Sequence, residues 1–228
     1  MREAERIDSP PPRPSLARAI RQSFSRYLDD IVVFVVVNLA WALAIGAFAF
    51  VRIGLPLVVI LTPFLALPTS ALMRLAVASA RGRTPTWPMA REELGRLAGR
   101  KVALAAIQLL IMGLSLTNVT LGSSIGGLAG IASAIVAGYA LVAVSVYAIA
   151  LWPIVCDPAR EAPLRDQLRL ALALVTLRPM QLVVLAVITV LAIVVSIQLI
   201  VPLLFLPSLV LIMIAGYVVP TADRMRPA

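Results

Sequence analysis

The chain has 228 residues, of which 61% are hydrophobic and 14% charged, against about 25% charged in an ordinary soluble domain. It contains no histidine, which removes the usual metal ligand and general base. Its single cysteine, Cys156, excludes an intrachain disulfide. The net charge of +9 is no nucleic-acid signature, because the basic residues lie in short segments between apolar stretches.

Residues 1–30 are polar, Pro-rich and charged, and read as a cytoplasmic segment without a cleavable leader. Within it, Ser15 follows Pro14 and caps a helix. Leu16, Ile20, Phe24 and Leu28 recur every four residues, with Arg18, Arg21 and Arg26 elsewhere. That spacing predicts an interfacial helix leading into the first span. A membrane-crossing helix needs about 20 apolar residues. Six stretches qualify: about Ile31–Phe50, Leu55–Met73, Val102–Val119, Ile131–Val155, Met180–Leu199 and Val201–Val219. The predicted fold is all-α, a polytopic membrane protein with six transmembrane helices (residues 31–219), short cytoplasmic amphipathic helices and a tail at 220–228.

The outer connections, at Val51–Gly54, Thr120–Gly130 and Ile200, are short or uncharged, which argues against an external ligand domain. With the N-terminus inside, every Lys and Arg except Arg52 falls on the cytoplasmic side, as expected from the cost of moving such charges across a bilayer. The expected location is therefore a multi-pass arrangement in a bacterial inner membrane, both termini cytoplasmic. Two further inner helices are predicted. Met89–Lys101 mixes Arg91, Glu92, Glu93 and Arg96. Pro163–Leu177 sets Leu164, Leu168, Ala171, Leu172 and Val175 against Arg165, Asp166 and Arg169. Such helices either lie on an anionic inner leaflet or dock a soluble partner.

Ionisable residues at membrane depth are costly and usually functional. Here Arg74 lies one turn from the cytosol, close enough to snorkel. The neutral candidates for bundle glue or a pathway are Asn38 and Trp41 in span one, Thr69 in span two, Gln108 in span three, Tyr139 in span four and Ser208 in span six. Amides buried in a helix bundle mostly bond to neighbouring helices.

One pattern occurs twice. Pro63 to Leu72 and Pro202 to Leu211 both read P-h-L-h-L-P-[ST]-h-h-L, where h is apolar. Pro63 and Pro68 in one span, and Pro202 and Pro207 in the other, are predicted to break their helices. Residues 15–79 and 163–219 would then be two units related by an axis along the membrane normal, with the broken helices flanking any site.

Asn38-Leu39-Ala40-Trp41, Pro68-Thr69-Ser70-Ala71-Leu72 followed by Arg81-Gly82, the fourth-span ending Tyr147…Trp152-Pro153 and the helix closing on Arg178-Pro179 resemble the YesL family of bacterial membrane proteins. Leu67 departs from the glycine usual in that family before the second-span proline. The resemblance implies a six-span inner-membrane protein whose relatives often occur beside sugar ABC importers, so that transporter components are the implied partners.

Catalysis needs a nucleophile with a positioned base, or a metal. With no histidine and no acidic pair inside a span, the chain reads as a non-enzyme without cofactors. Two functions remain: an accessory or regulatory component linked to carbohydrate uptake, and a permease-like subunit for a neutral solute. There is no phosphate-binding loop. The sequence names neither a substrate nor an oligomeric state.

Overall fold

A computed structural model describes residues 15–50, 60–198, 202 and 205–225. Residues 1–14, the Val51–Gly54 turn, the start of the second span, the Ile200 turn and the end of the tail lie outside these. Among the described residues there are nine α-helices and no strand: α1 (Leu16–Asp29), α2 (Ile31–Phe50), α3 (Ala66–Ala80), α4 (Trp87–Gly95), α5 (Ala98–Ile125), α6 (Gly127–Val155), α7 (Leu164–Leu177), α8 (Pro179–Gln198) and α9 (Leu206–Asp223). Five helical segments are long and apolar enough to cross a membrane, and a sixth is counted if the bent pair α1–α2 is one span. The chain is an all-α polytopic membrane protein.

Ser15 caps α1 as expected, accepting from the Arg18 N–H at 3.3 Å. The predicted apolar stripe of α1 is divided: Leu16 and Ile20 are half-buried, Leu16 against the core. Phe24 and Leu28 are about half exposed, while Ala19, Ser23 and Tyr27 are buried against α9. The Ser23 hydroxyl donates to the Ile212 carbonyl at 3.2 Å. Gly216 permits this close approach, since a Cβ there would lie 2.5 Å from the Ser23 oxygen. Small and polar residues let helices come together in a membrane, and large apolar ones suit lipid. At Asp30 the chain turns by 88° into α2.

The outer connection predicted at Thr120–Gly130 is mostly helix. Thr117, Thr120, Ser123 and Ser124 donate to carbonyls three or four residues back, so their polarity does not end α5. The reversal occurs at Gly126–Gly127, both with positive φ, a conformation natural to glycine. The α5–α6 hairpin closes where Gly122 and Gly130 meet: a Cβ on Gly122 would lie 2.6 Å from the Gly130 carbonyl oxygen.

The predicted helix 89–101 is split. Leu97, at φ 51°, is left-handed and separates α4 from α5. At the centre of the bundle, α3 and α9 pack directly on one another, and both are far more buried than α5, α6 or α8. These central helices carry the two copies of the repeated motif. The amphipathic helices depart from any repeat: α1 packs on α9, whereas α7 packs chiefly on α6.

Candidate functional site

The prolines set the geometry of the first site. Pro63 lies in a 3-10 turn, Thr62–Leu65, that leads into α3, and Pro68 falls in the first turn of α3. Pro207 is the second residue of α9. At Pro207 the missing N–H costs nothing, because a first-turn N–H has no helical partner. Pro207 therefore opens α9, whereas Pro63 and Pro68 lie within one helical run from residue 60 to Ala80 that tightens from α-helix to 3-10 at Thr62–Leu65. In both copies the residue three positions after the first proline turns back onto it: Ala66 N–H to the Pro63 carbonyl, and Phe205 N–H to the Pro202 carbonyl at 3.0 Å.

The hydroxyl after each second proline is oriented the same way. Thr69 donates to the Leu65 carbonyl at 2.8 Å, and Ser208 donates to the Phe205 carbonyl at 3.2 Å. Each oxygen is left as an acceptor, and α2 supplies both donors. Asn38 Nδ2 donates to Ser208 Oγ at 2.7 Å, and Trp41 Nε1 donates to Thr69 Oγ1 at 3.0 Å. Asn38 and Trp41 are three residues apart and so share a face of α2. One turn of α2 thus clasps the starts of both central helices. The sequence singled out all four residues as candidates for bundle glue or a pathway, but not this pairing.

A cavity of about 470 Å³ lies beside the clasp. Its walls are Trp41, Ala42 and Gly46 of α2, Thr69 and Leu72 of α3, Thr189, Ala192, Ile193 and Ser196 of α8, and Pro207, Val210 and Leu211 of α9. Asn38 and Ser208 stand behind this wall, not on it. The lining includes hydroxyls but no ionisable group.

The second polar constellation lies at the opposite ends of these helices, where α3, α6 and α9 finish together. Arg81 grips Asp157 through two nitrogens, Nε at 2.9 Å from Oδ1 and Nη2 on Oδ2, and this pairing raises the Arg81 pKa. Arg160 pairs with both Asp157 and Asp223 and donates to the Val219 carbonyl. Alongside, Glu93 and Lys101 are fully buried. Lys101 Nζ lies 2.8 Å from Glu93 Oε1 and donates to the Glu93 carbonyl at 2.7 Å. Arg96 Nε binds Glu93 Oε2 at 3.0 Å, and its Nη1 binds Glu161 at 2.8 Å. Cys156 is buried against this group. Burial pushes its thiol up to about 12, the Glu93 carboxylate adds to the rise, and Lys101, Arg96 and Arg74 oppose it.

Several expectations change here. Arg74 is mostly buried and reaches towards the charged end, 3.9 Å from Glu93. Tyr139 belongs to no bundle or pathway, since it is largely exposed on the outer surface of α6. Gln108 is glue between neighbours, its Oε1 accepting from Trp152 Nε1 at 3.1 Å. Glu93, Lys101, Asp157 and Arg160 escaped the sequence as a constellation because they come from three separate segments. The local traces were two i,i+3 pairs, Glu93 with Arg96 and Asp157 with Arg160, each one contact of the network. Among the described residues no group of His, Cys, Asp and Glu is arranged to hold a metal ion. No family profile, curated protein or solved structure matches the chain.

Proposed function

We propose that the protein is a non-catalytic accessory component of the inner membrane that docks a soluble partner of a carbohydrate-uptake system on its charged, cytoplasmic end. The observation that carries this reading is the outer face of α4. Trp87, Arg91 and Leu94 follow one another at spacings of four and three, so they share a face, and all three are exposed, as is Leu97 just beyond. Glu93, on the other face, is locked into the buried ion pairs. A rigidly anchored short helix presenting an aromatic and two leucines around a charge has the makings of a docking element. The link to carbohydrate uptake and to ABC transporter components comes from the resemblance to the YesL family.

A permease-like role for a neutral solute draws on the cavity beside the clasp. Its lining argues against a sugar, because three hydroxyls, two of them already donating within their own helices, leave few partners for a polyol. A photoreactive residue placed at 94, with one at exposed Ile125 as control, tests the docking reading in native membranes. The expected result is a specific adduct at 94 with a carbohydrate-uptake component, absent at 125, and weakened at least tenfold by Trp87→Ala. No adduct at 87, 94 or 97 would count decisively against it.

A further inference from the structure

We infer that the cavity between α2, α3, α8 and α9 is a binding site for one acyl chain of a membrane lipid, with the ester end of the lipid at Ser196. Four observations converge. The cavity measures about 470 Å³, well above the ~150 Å³ that suffices for a benzene in an apolar protein cavity, and within the usual range of ligand pockets. Its lining is apolar apart from hydroxyls, so water is a poor occupant.

The way in faces the bilayer. Both α2 and α8 form the cavity wall, yet they make little contact with each other across it. Ile193 lines the cavity and is half exposed, with Leu39 and Leu43 exposed on α2. A slot between two lipid-facing helices admits what surrounds it, and at that depth the surroundings are acyl chains.

The fourth observation fixes the direction. Of the lining hydroxyls, Thr69 and Thr189 donate to carbonyls of their own segments. Ser196 is 7% exposed and its hydroxyl has no hydrogen-bond partner among the described residues. An unpaired buried hydroxyl is costly, and the cost is relieved by an acceptor brought in with the ligand. Ser196 lies near the end of α8 remote from the charged cluster, and Thr189 is two turns deeper, roughly 10 Å along the helix. An ester carbonyl on the Ser196 hydroxyl places the chain down the cavity past Ile193 and Ala192 towards Leu72, with the headgroup at the membrane surface.

The test uses the full chain with Trp41 as its only tryptophan (Trp87→Phe, Trp152→Phe), solubilised in mild detergent and stripped of lipid. A phospholipid brominated on its acyl chains is titrated in, and Trp41 fluorescence is read. The expected result is saturable quenching at one lipid per chain. Gly46→Leu, at a position where a Cβ meets nothing within 4 Å, and Ala192→Phe should each weaken binding at least tenfold by filling the space. Ser196→Ala should weaken it about fivefold, the worth of one neutral hydrogen bond. Native mass spectrometry of unstripped protein should show one retained phospholipid, lost in Gly46→Leu. Quenching that never saturates, or that is unchanged in both filled variants, overturns the assignment. So does a cavity that retains only detergent or a non-lipid apolar molecule.

Discussion

The two ends of the central helices α3 and α9 are held by opposite chemistry. At their starts, two neutral hydrogen bonds from Asn38 and Trp41 of α2 clasp the hydroxyls of Ser208 and Thr69. At their finishes, Arg81, Asp157, Arg160 and Asp223 tie α3, α6 and α9 together, with Glu93 and Lys101 buried alongside. The difference teaches where failure is costly. A neutral pair in a bilayer contributes little, because the unfolded chain also finds partners there. A fully buried ion pair contributes little as a pair, yet breaking it strands a charge.

Glu93→Ala breaks the charged end most directly. It leaves Lys101, fully buried, facing Arg96 and Arg74 without a counter-charge. The expected loss is about 3–5 kcal/mol of stability, measured by denaturant unfolding in detergent. The double variant Glu93→Leu/Lys101→Met removes both charges and should recover much of that loss. If Glu93→Ala unfolds no more easily than wild type, the buried pair is not a structural element.

Cys156 reports on the same region without disturbing it. Its thiol, pushed up to about 12, should be almost wholly protonated at pH 8 and should react with a maleimide far more slowly than a free cysteine, by about three decades on thiolate fraction alone. Unfolding should restore ordinary reactivity. The sign for stability follows from proton binding. Below about pH 9 both states keep the proton and nothing changes. Between about 9 and 12 the unfolded chain releases it while the folded chain holds it, so Cys156 lowers stability as pH rises across that window. Rapid labelling of folded protein at pH 8 would mean that this end opens readily.

How legible each end was in the sequence follows from the range of its interactions. The spans were readable because each is a continuous apolar run, and α2 matches its expected limits, Ile31–Phe50. Asn38, Trp41, Thr69 and Ser208 stood out as polar residues on apolar ground. Their partners did not, because pairing across 170 residues leaves no local trace. The charged end was harder still. Its basic residues looked like topology signals, and nothing in the spacing of Glu93, Lys101, Asp157 and Arg160 distinguished a buried network from solvated loops. The burial of Ala19, Ser23 and Tyr27, with Phe24 and Leu28 left exposed, was illegible for a different reason: in a membrane, hydrophobicity does not tell the lipid face from the protein face.

The clasp yields a smaller effect than the charged end. Asn38→Leu should lower stability by about 0.6–2 kcal/mol, the range for hydrogen bonds between membrane helices. A double-mutant cycle with Ser208→Ala should return a coupling of about 0.6 kcal/mol. Additive effects would show that the 2.7 Å contact carries no energy of its own.

Trp41→Phe should have the smallest effect and makes the sharpest comparison. It keeps an aromatic ring between α2 and α3 but removes the N–H that reaches Thr69 Oγ1. Thr69 still donates to the Leu65 carbonyl, so its hydroxyl is not stranded, and only the acceptor side loses a partner. The expected cost is near 0.6 kcal/mol, set against several for Glu93→Ala. Trp41→Ala removes the ring as well and enlarges the adjoining cavity, so its cost should be greater by the packing lost. The contrast between the two substitutions separates hydrogen bond from packing at one position. If Trp41→Phe proved as damaging as Glu93→Ala, the neutral clasp would be as critical to the bundle as the charged end, and the opposition drawn between the two would fail.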